Sequence, residues 1–196
     1  MDFLFNFLDY IKINIEYNYL KIFLFFFIFL IIYNSFSIPG NMVFIAATGY
    51  FFGSYIGYLL SISTLVLGSL IFFSFSNFFI GKIFLKYLNK YTSNLDKFIA
   101  GSSIEYLIIF RMIPGPPLFF QNLILSFLKI KKIDFILSSF IGFTPYVFML
   151  VFIGNQFNNI DKLINLSFGD IFTFKFLFFI CCIILLIVIR IFYKKK

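Results

Sequence analysis

The chain has no histidine and no tryptophan, and only eight acidic residues among 196. Without histidine, most zinc hydrolases, histidine phosphatases and serine–histidine nucleophile systems are excluded together, and no enzymatic activity is expected. The two cysteines, Cys181 and Cys182, are sequence neighbours inside a late apolar run. They suit packing better than a structural disulfide or a four-ligand metal site, so no metal and no cofactor is expected. A polar surface is missing as well: charged residues make up 12% of the chain and hydrophobic ones 62%, with a mean hydropathy of +1.02. A soluble exterior cannot be assembled from that composition, so the chain reads as one integral membrane domain. The abundant phenylalanine, 36 residues, accompanies many Ile, Lys and Asn and is attributed to an AT-rich coding sequence rather than to aromatic gating. A small-residue cleavage site is also lacking near the N-terminus, which carries Asp2, Asp9, Lys12 and Glu16. The first apolar run is therefore expected to stay in the mature protein.

What is present is a succession of apolar runs with informative interruptions. Residues 22–38 are long enough to span a bilayer and end at Pro39-Gly40. The piece 39–53 is too short to cross and reads as a re-entrant hairpin, after which 58–80 spans. The polar stretch 82–97 carries four lysines, the first of them spaced as on one face of an interfacial helix. The apolar piece 106–127 is broken by prolines and followed by Lys129-Ile130-Lys131-Lys132. If that piece crossed fully, the two lysine clusters would face opposite sides, against the tendency of basic loops to remain cytoplasmic. A second re-entrant hairpin keeps them together; a six-span arrangement fails only on this point. Residues 133–154 and 171–192 complete the expected plan. It is an all-α membrane protein with four spanning helices and two hairpins dipping from opposite faces as an inverted repeat. Residues 1–21 form a cytoplasmic or interfacial segment, 22–192 the membrane domain and 193–196 a basic cytoplasmic tail, which places both termini in the cytoplasm of a bacterial inner membrane.

The run Phe110-Arg111-Met112-Ile113-Pro114-Gly115-Pro116-Pro117 carries the chemistry. An arginine at the centre of a spanning helix costs roughly 2.5–3.5 kcal/mol, and each interior proline about 3 kcal/mol. Such a segment is stable only when buried in protein or lining a wet cavity. Pro114 is expected to end one half-helix and Pro117 to open another that carries Gln121 and Asn122. The free N–H groups of the second half-helix and the planar fork of Arg111 would then form an anion site suited to phosphate. The alternative pairs Arg111 with Glu105 near the cytoplasmic interface and leaves the prolines to shape a turn. In the first hairpin, Pro39, Gly40 and Asn41 are placed to stop one helix and cap the next. Gly49, Gly53 and Gly57 recur every four residues, for which close helix packing is the simplest reading, with Ser61 and Gly68 extending the same face.

These residues resemble a known family. Arg111-x-x-Pro114-x-x-Pro117 with Asn122, Phe135, Gly142, Pro145 and Gly154 is similar to the second half of the DedA-like membrane proteins, also called SNARE-associated or VTT-domain proteins. Pro39-Gly40 with the glycine ladder and Gly68 is similar to the first half, so the resemblance covers about residues 39 to 154. Asn77 stands where many members have arginine, and Ser126 where they have glycine. The first hairpin also lacks the acidic residue found in many of the DedA branch, so the chain resembles the yeast-Golgi-type branch more closely. That absence argues against proton coupling through an intramembrane carboxylate, since Glu105 and Asp134 are expected near the interface. The resemblance implies transbilayer movement of phosphate-bearing lipids, such as phospholipids or polyprenyl phosphates. Membrane lipids are thus the expected partners; no nucleic-acid partner is expected, and a homo-oligomer is left open. A coupled ion or small-solute transporter and a non-transporting membrane organiser are the alternatives.

Overall fold

The computed structural model describes residues 2–100, 104–113, 117–127 and 130–157; for residues 2–16 other than Asn14, and for 77–100, it describes the backbone alone. Pro114, the cysteine pair, the last expected span 171–192 and the basic tail lie outside the described residues. So do the side chains of Asn77 and of the lysines in 82–97.

Every regular element described is helical: α1 (Asp2–Ser35), α2 (Asn41–Ala100), α3 (Ile104–Met112), α4 (Leu118–Phe127) and α5 (Lys132–Gln156). Among the described residues, three helices are long and apolar enough to cross a membrane: the 17–35 part of α1, the 41–76 part of α2, and α5. Their outward faces are apolar, with Phe25, Ile28, Ile32, Val43, Ile71, Ile133 and Phe140 among the exposed side chains. Water would not support that distribution, and lipid does.

The α2 helix is not one straight rod. At Gly53 the backbone leaves the helical region, with φ 77° and ψ 174°, a conformation that is free of steric penalty only for glycine. The chain folds back there. The Thr48 hydroxyl donates to backbone carbonyls within hydrogen-bond reach at Ile45 (2.7 Å) and Gly57 (3.2 Å), while Ser61 lies 2.6 Å from its oxygen. Residues 48 and 57 would be about 13 Å apart along an unbroken helix. The chain thus reverses in a helical fold-back whose turn is at Gly53, the end of the piece expected to be a hairpin.

The glycine ladder divides its labour. A Cβ on Gly57 would sit 2.6 Å from the Thr48 carbonyl oxygen, and one on Gly49 would collide with the Val151 backbone of α5. Gly53 has nothing within 4 Å and serves the turn. Gly68 lets α2 approach Asn34 and Ile31 of α1, and Gly154 lets α5 approach Ala46. The spacing of four that suggested a single packing face therefore mixes two contacts with one reversal.

Three clusters of side chains hold the helices together. Ile45, Ile62, Leu65 and Val66 of α2 meet Phe143, Val147 and Val151 of α5. Phe73, Leu107, Leu125 and Phe135 join α2, α3, α4 and α5. Leu30 of α1 packs with Phe52 and Leu60, and Phe23, Phe26 and Tyr33 of α1 add edge contacts to Phe52 and Phe44. Asn41 begins α2, and its Oδ1 accepts a hydrogen bond from the Tyr146 hydroxyl of α5 at 3.2 Å. Pro145 lies inside α5 between Thr144, which is 3.0 Å from the Tyr58 hydroxyl, and Tyr146.

Gly49→Val and Gly154→Val are expected to force α2 and α5 apart and to destabilise the protein by about 1–3 kcal/mol. Thermal unfolding of the detergent-solubilised protein reads the loss, with the lipid-facing change Ile71→Val as the reference. Unfolding temperatures equal to that reference would contradict the close approach.

Candidate functional site

The second hairpin is built from two short helices around the proline-rich break. Its halves pack on different neighbours, α3 on α5 and α4 on α2. They also face each other: Leu107 and Leu125 share one cluster, and Gln121 Nε2 donates across the break to the Ile113 carbonyl at 3.4 Å. Pro117 opens α4 as its position suggests, its carbonyl accepting from the N–H groups of Phe120 (2.9 Å) and Gln121 (3.2 Å). With its φ preset and no N–H to lose, proline suits that place.

Arg111 sits in the last turn of α3, where the negative end of the helix dipole favours a cation, and only 3% of it is exposed. Its guanidinium carbon lies 4.7 Å from the ring centre of Phe135 and 4.8 Å from that of Phe143, both on α5. The residue between the rings in sequence and beside them in space is Gly142, where any Cβ would collide with that of Arg111. Each desolvated cation–π contact is worth about 2 kcal/mol, so two rings match the roughly 2.5–3.5 kcal/mol that a lone arginine costs in a spanning helix. The rings accept charge but provide no oxygen acceptor. Nε, Nη1 and Nη2 of Arg111 have no hydrogen-bond partner among the described residues.

This geometry replaces the pairing considered for Glu105. That residue is buried, 2% exposed, and Arg111 donates to neither of its oxygens. A helix brings residues three or four apart onto one face, whereas Arg111 and Glu105 are six apart. Nor does Arg111 bond to Gln121 or Asn122, with which it was expected to share an anion site.

Asn122, fully buried, turns instead toward α2. Its Nδ2 donates to Ser37 Oγ (2.9 Å) and Ser69 Oγ (3.3 Å), while its Oδ1 has no partner among the described residues. Ser37 lies in the turn that leads into the first hairpin, with φ 50°. One side chain near the tip of the second hairpin thereby ties down the entrance of the first. Farther along α4, Ser126 lies 2.9 Å from Ser76 of α2. Ser138 and Ser139 of α5 are also buried, and Ser139 Oγ has no partner among the described residues.

Sequence reading identified Arg111, Pro117, Gln121 and Asn122 but missed Phe143, the role of Phe135, and the serines at 37, 69, 76, 138 and 139. A signal existed for the aromatic pair. Phe135, Gly142 and Phe143 stand at i, i+7 and i+8, one face of a helix.

An all-helical chain with lipid-facing apolar surfaces, broken helices and a buried cation is an integral membrane protein whose polar groups are kept inside. A sequence model of the VTT domain matches residues 38–156, more than half of the chain. The chain belongs to this family, the DedA or SNARE-associated membrane proteins. It is also similar to the "Transmembrane protein 41 homolog" of Dictyostelium discoideum, 29% identical over 146 residues that cover 72% of this chain and 42% of that relative. The chain therefore spans about two fifths of that relative's length. No solved structure matches it.

Asn122→Ala is expected to cost about 1–3 kcal/mol of stability by leaving two buried hydroxyls without their donor, and Ser69→Ala less. Thermal unfolding in detergent measures both; an unchanged unfolding temperature for Asn122→Ala would show that the link between the hairpins carries no energy.

Proposed function

We propose that this protein moves phosphate-bearing lipid head groups across the bilayer without an energy source or enzymatic chemistry of its own. The observation that carries the reading is the Arg111 guanidinium, buried beside a helix break with all three nitrogens free of hydrogen-bond partners among the described residues. A fixed cation with unused donors stabilises a passing anion, and a phosphate is the lipid group whose geometry suits the guanidinium fork. The opening turn of α4 at Pro117 follows the same break, and a helix N-terminus there would add N–H donors for an anion.

In this reading the fold-back at Gly53 and the break around Pro114 and Pro117 are two re-entrant hairpins that dip from opposite faces among four spanning helices. Their opposed approach thins the barrier, and the lipid tails stay in the bilayer as the head group passes. Both termini face the cytoplasm of a bacterial inner membrane, and the lack of an acidic residue in the first hairpin sets the chain nearer the yeast-Golgi-type branch of the family. Phospholipids and polyprenyl phosphates share the chemistry that Arg111 would recognise.

One observation favours a second reading. Glu105 is 2% exposed, so the chain does carry a buried ionisable group of the kind that coupled ion or small-solute transport requires. Glu105→Gln removes the titration and keeps the shape. Loss of a pH dependence of transport in that variant would support coupling, whereas transport unaffected by pH in both forms supports passive lipid movement.

Arg111→Ala is expected to abolish movement of fluorescent phospholipids and polyprenyl phosphate in proteoliposomes while membrane insertion persists. Arg111→Lys, which keeps the charge but loses the fork, should retain only part of the rate. Lipid movement at the wild-type rate by Arg111→Ala would remove the basis of the mechanism.

A further inference from the structure

The charge of Arg111 is compensated by ring faces rather than by a carboxylate, and this difference bears on what the residue can do. An acidic partner would neutralise the guanidinium and occupy its hydrogen-bond donors in a bidentate pair. Phe135 and Phe143 take neither role. They face the cation at 4.7 and 4.8 Å from their ring centres, and among the described residues the nitrogens have no oxygen acceptor. The arrangement is built into the packing. Gly142 removes the side chain that would hold α3 away from α5, and the Phe135 ring is backed by Phe73, with ring centres 4.3 Å apart. Phe143 in turn belongs to the cluster that joins α5 to the first hairpin.

We propose that Phe135 and Phe143 are positioning residues: they hold Arg111 charged and in place while leaving its donors for the phosphate of the substrate. This rests on the lipid-transport reading for the identity of the anion, but not for the coupling between the rings and the arginine. A phosphate arriving at such a site meets a cation whose compensation it does not have to displace, because ring faces and phosphate oxygens engage different parts of the guanidinium. The α5 helix thereby becomes a functional element of the second hairpin as well as a packing partner.

The test uses the full chain in phosphatidylcholine vesicles doped with a fluorescent phosphatidylglycerol, with folding checked by circular dichroism and gel filtration in detergent. The combined variant Phe135→Leu, Phe143→Leu is expected to move lipid about tenfold more slowly. Replacing both residues by tyrosine, which keeps the ring faces, should restore the rate to within about twofold. A double-leucine variant that transports at the wild-type rate, or a tyrosine variant as slow as the leucine one, overturns the proposal. Folding provides an independent readout. A thermal-unfolding cycle between Arg111→Met and Phe143→Leu should be non-additive even if the wild type moves no lipid, an outcome that would refute the transport reading and keep the ring–arginine coupling. Additive unfolding shifts would overturn the coupling itself.

Discussion

Lipid cannot hydrogen-bond a backbone, and this constraint organises the whole molecule: wherever the helical path is interrupted, another helix has to cover the interruption. The fold-back at Gly53 is braced by Thr48, Ser61 and the Gly57 carbonyl within α2, and by α5 lying against Gly49. The turn before α2 is covered by Asn122 of α4, which donates to Ser37. The break between α3 and α4 is bridged by Gln121 and flanked by α5 through Arg111 and Gly142. Because α5 touches both hairpins, it acts as the common support, and its glycines mark the points of closest approach.

The same constraint explains why the interior is unusually polar for so apolar a chain. Serines and threonines at 37, 48, 61, 64, 69, 76, 138 and 139 are buried, and those with partners bond to a helix carbonyl, to one another or, at Ser37 and Ser69, to the Asn122 amide. Small hydroxyl residues allow close helix contact and satisfy themselves locally. The exterior carries the large apolar side chains. The distribution is the reverse of a soluble protein's and leaves Arg111 and Glu105 as ionisable groups sequestered within the helix assembly. Arg111 differs from the serines around it because no local carbonyl satisfies it, and what offsets its charge is aromatic.

Much of the architecture could be read from the residues in order. The apolar runs predicted the long helices, although the first apolar helix runs over 17–35 rather than 22–38. The inability of 39–53 to cross predicted a fold-back, and Pro117 marked the start of α4 because its ring suits a first turn. The candidate site was legible only in part. Arg111 stood out through its cost, but its neighbours are 24 and 32 positions away on α5, beyond the reach of any local pattern. The burial of Glu105 was not legible either, because position in an apolar run does not reveal which face a helix turns inward.

Composition established a membrane protein, and the length of its unbroken apolar runs made the spans helices rather than the short alternating strands of a barrel. Local sequence marked the break between α3 and α4, with Pro117 opening α4, whereas Pro145 stays inside α5 and the reversal at Gly53 was visible only in the fold. The partners of the buried polar groups came from long-range packing: Asn122 with Ser37 and Ser69, Tyr146 with Asn41, Arg111 with Phe135 and Phe143. These choices depend on how helices cross and which faces meet, and a glycine such as Gly142 shows its purpose only when the arginine that fills the space beside it is in place.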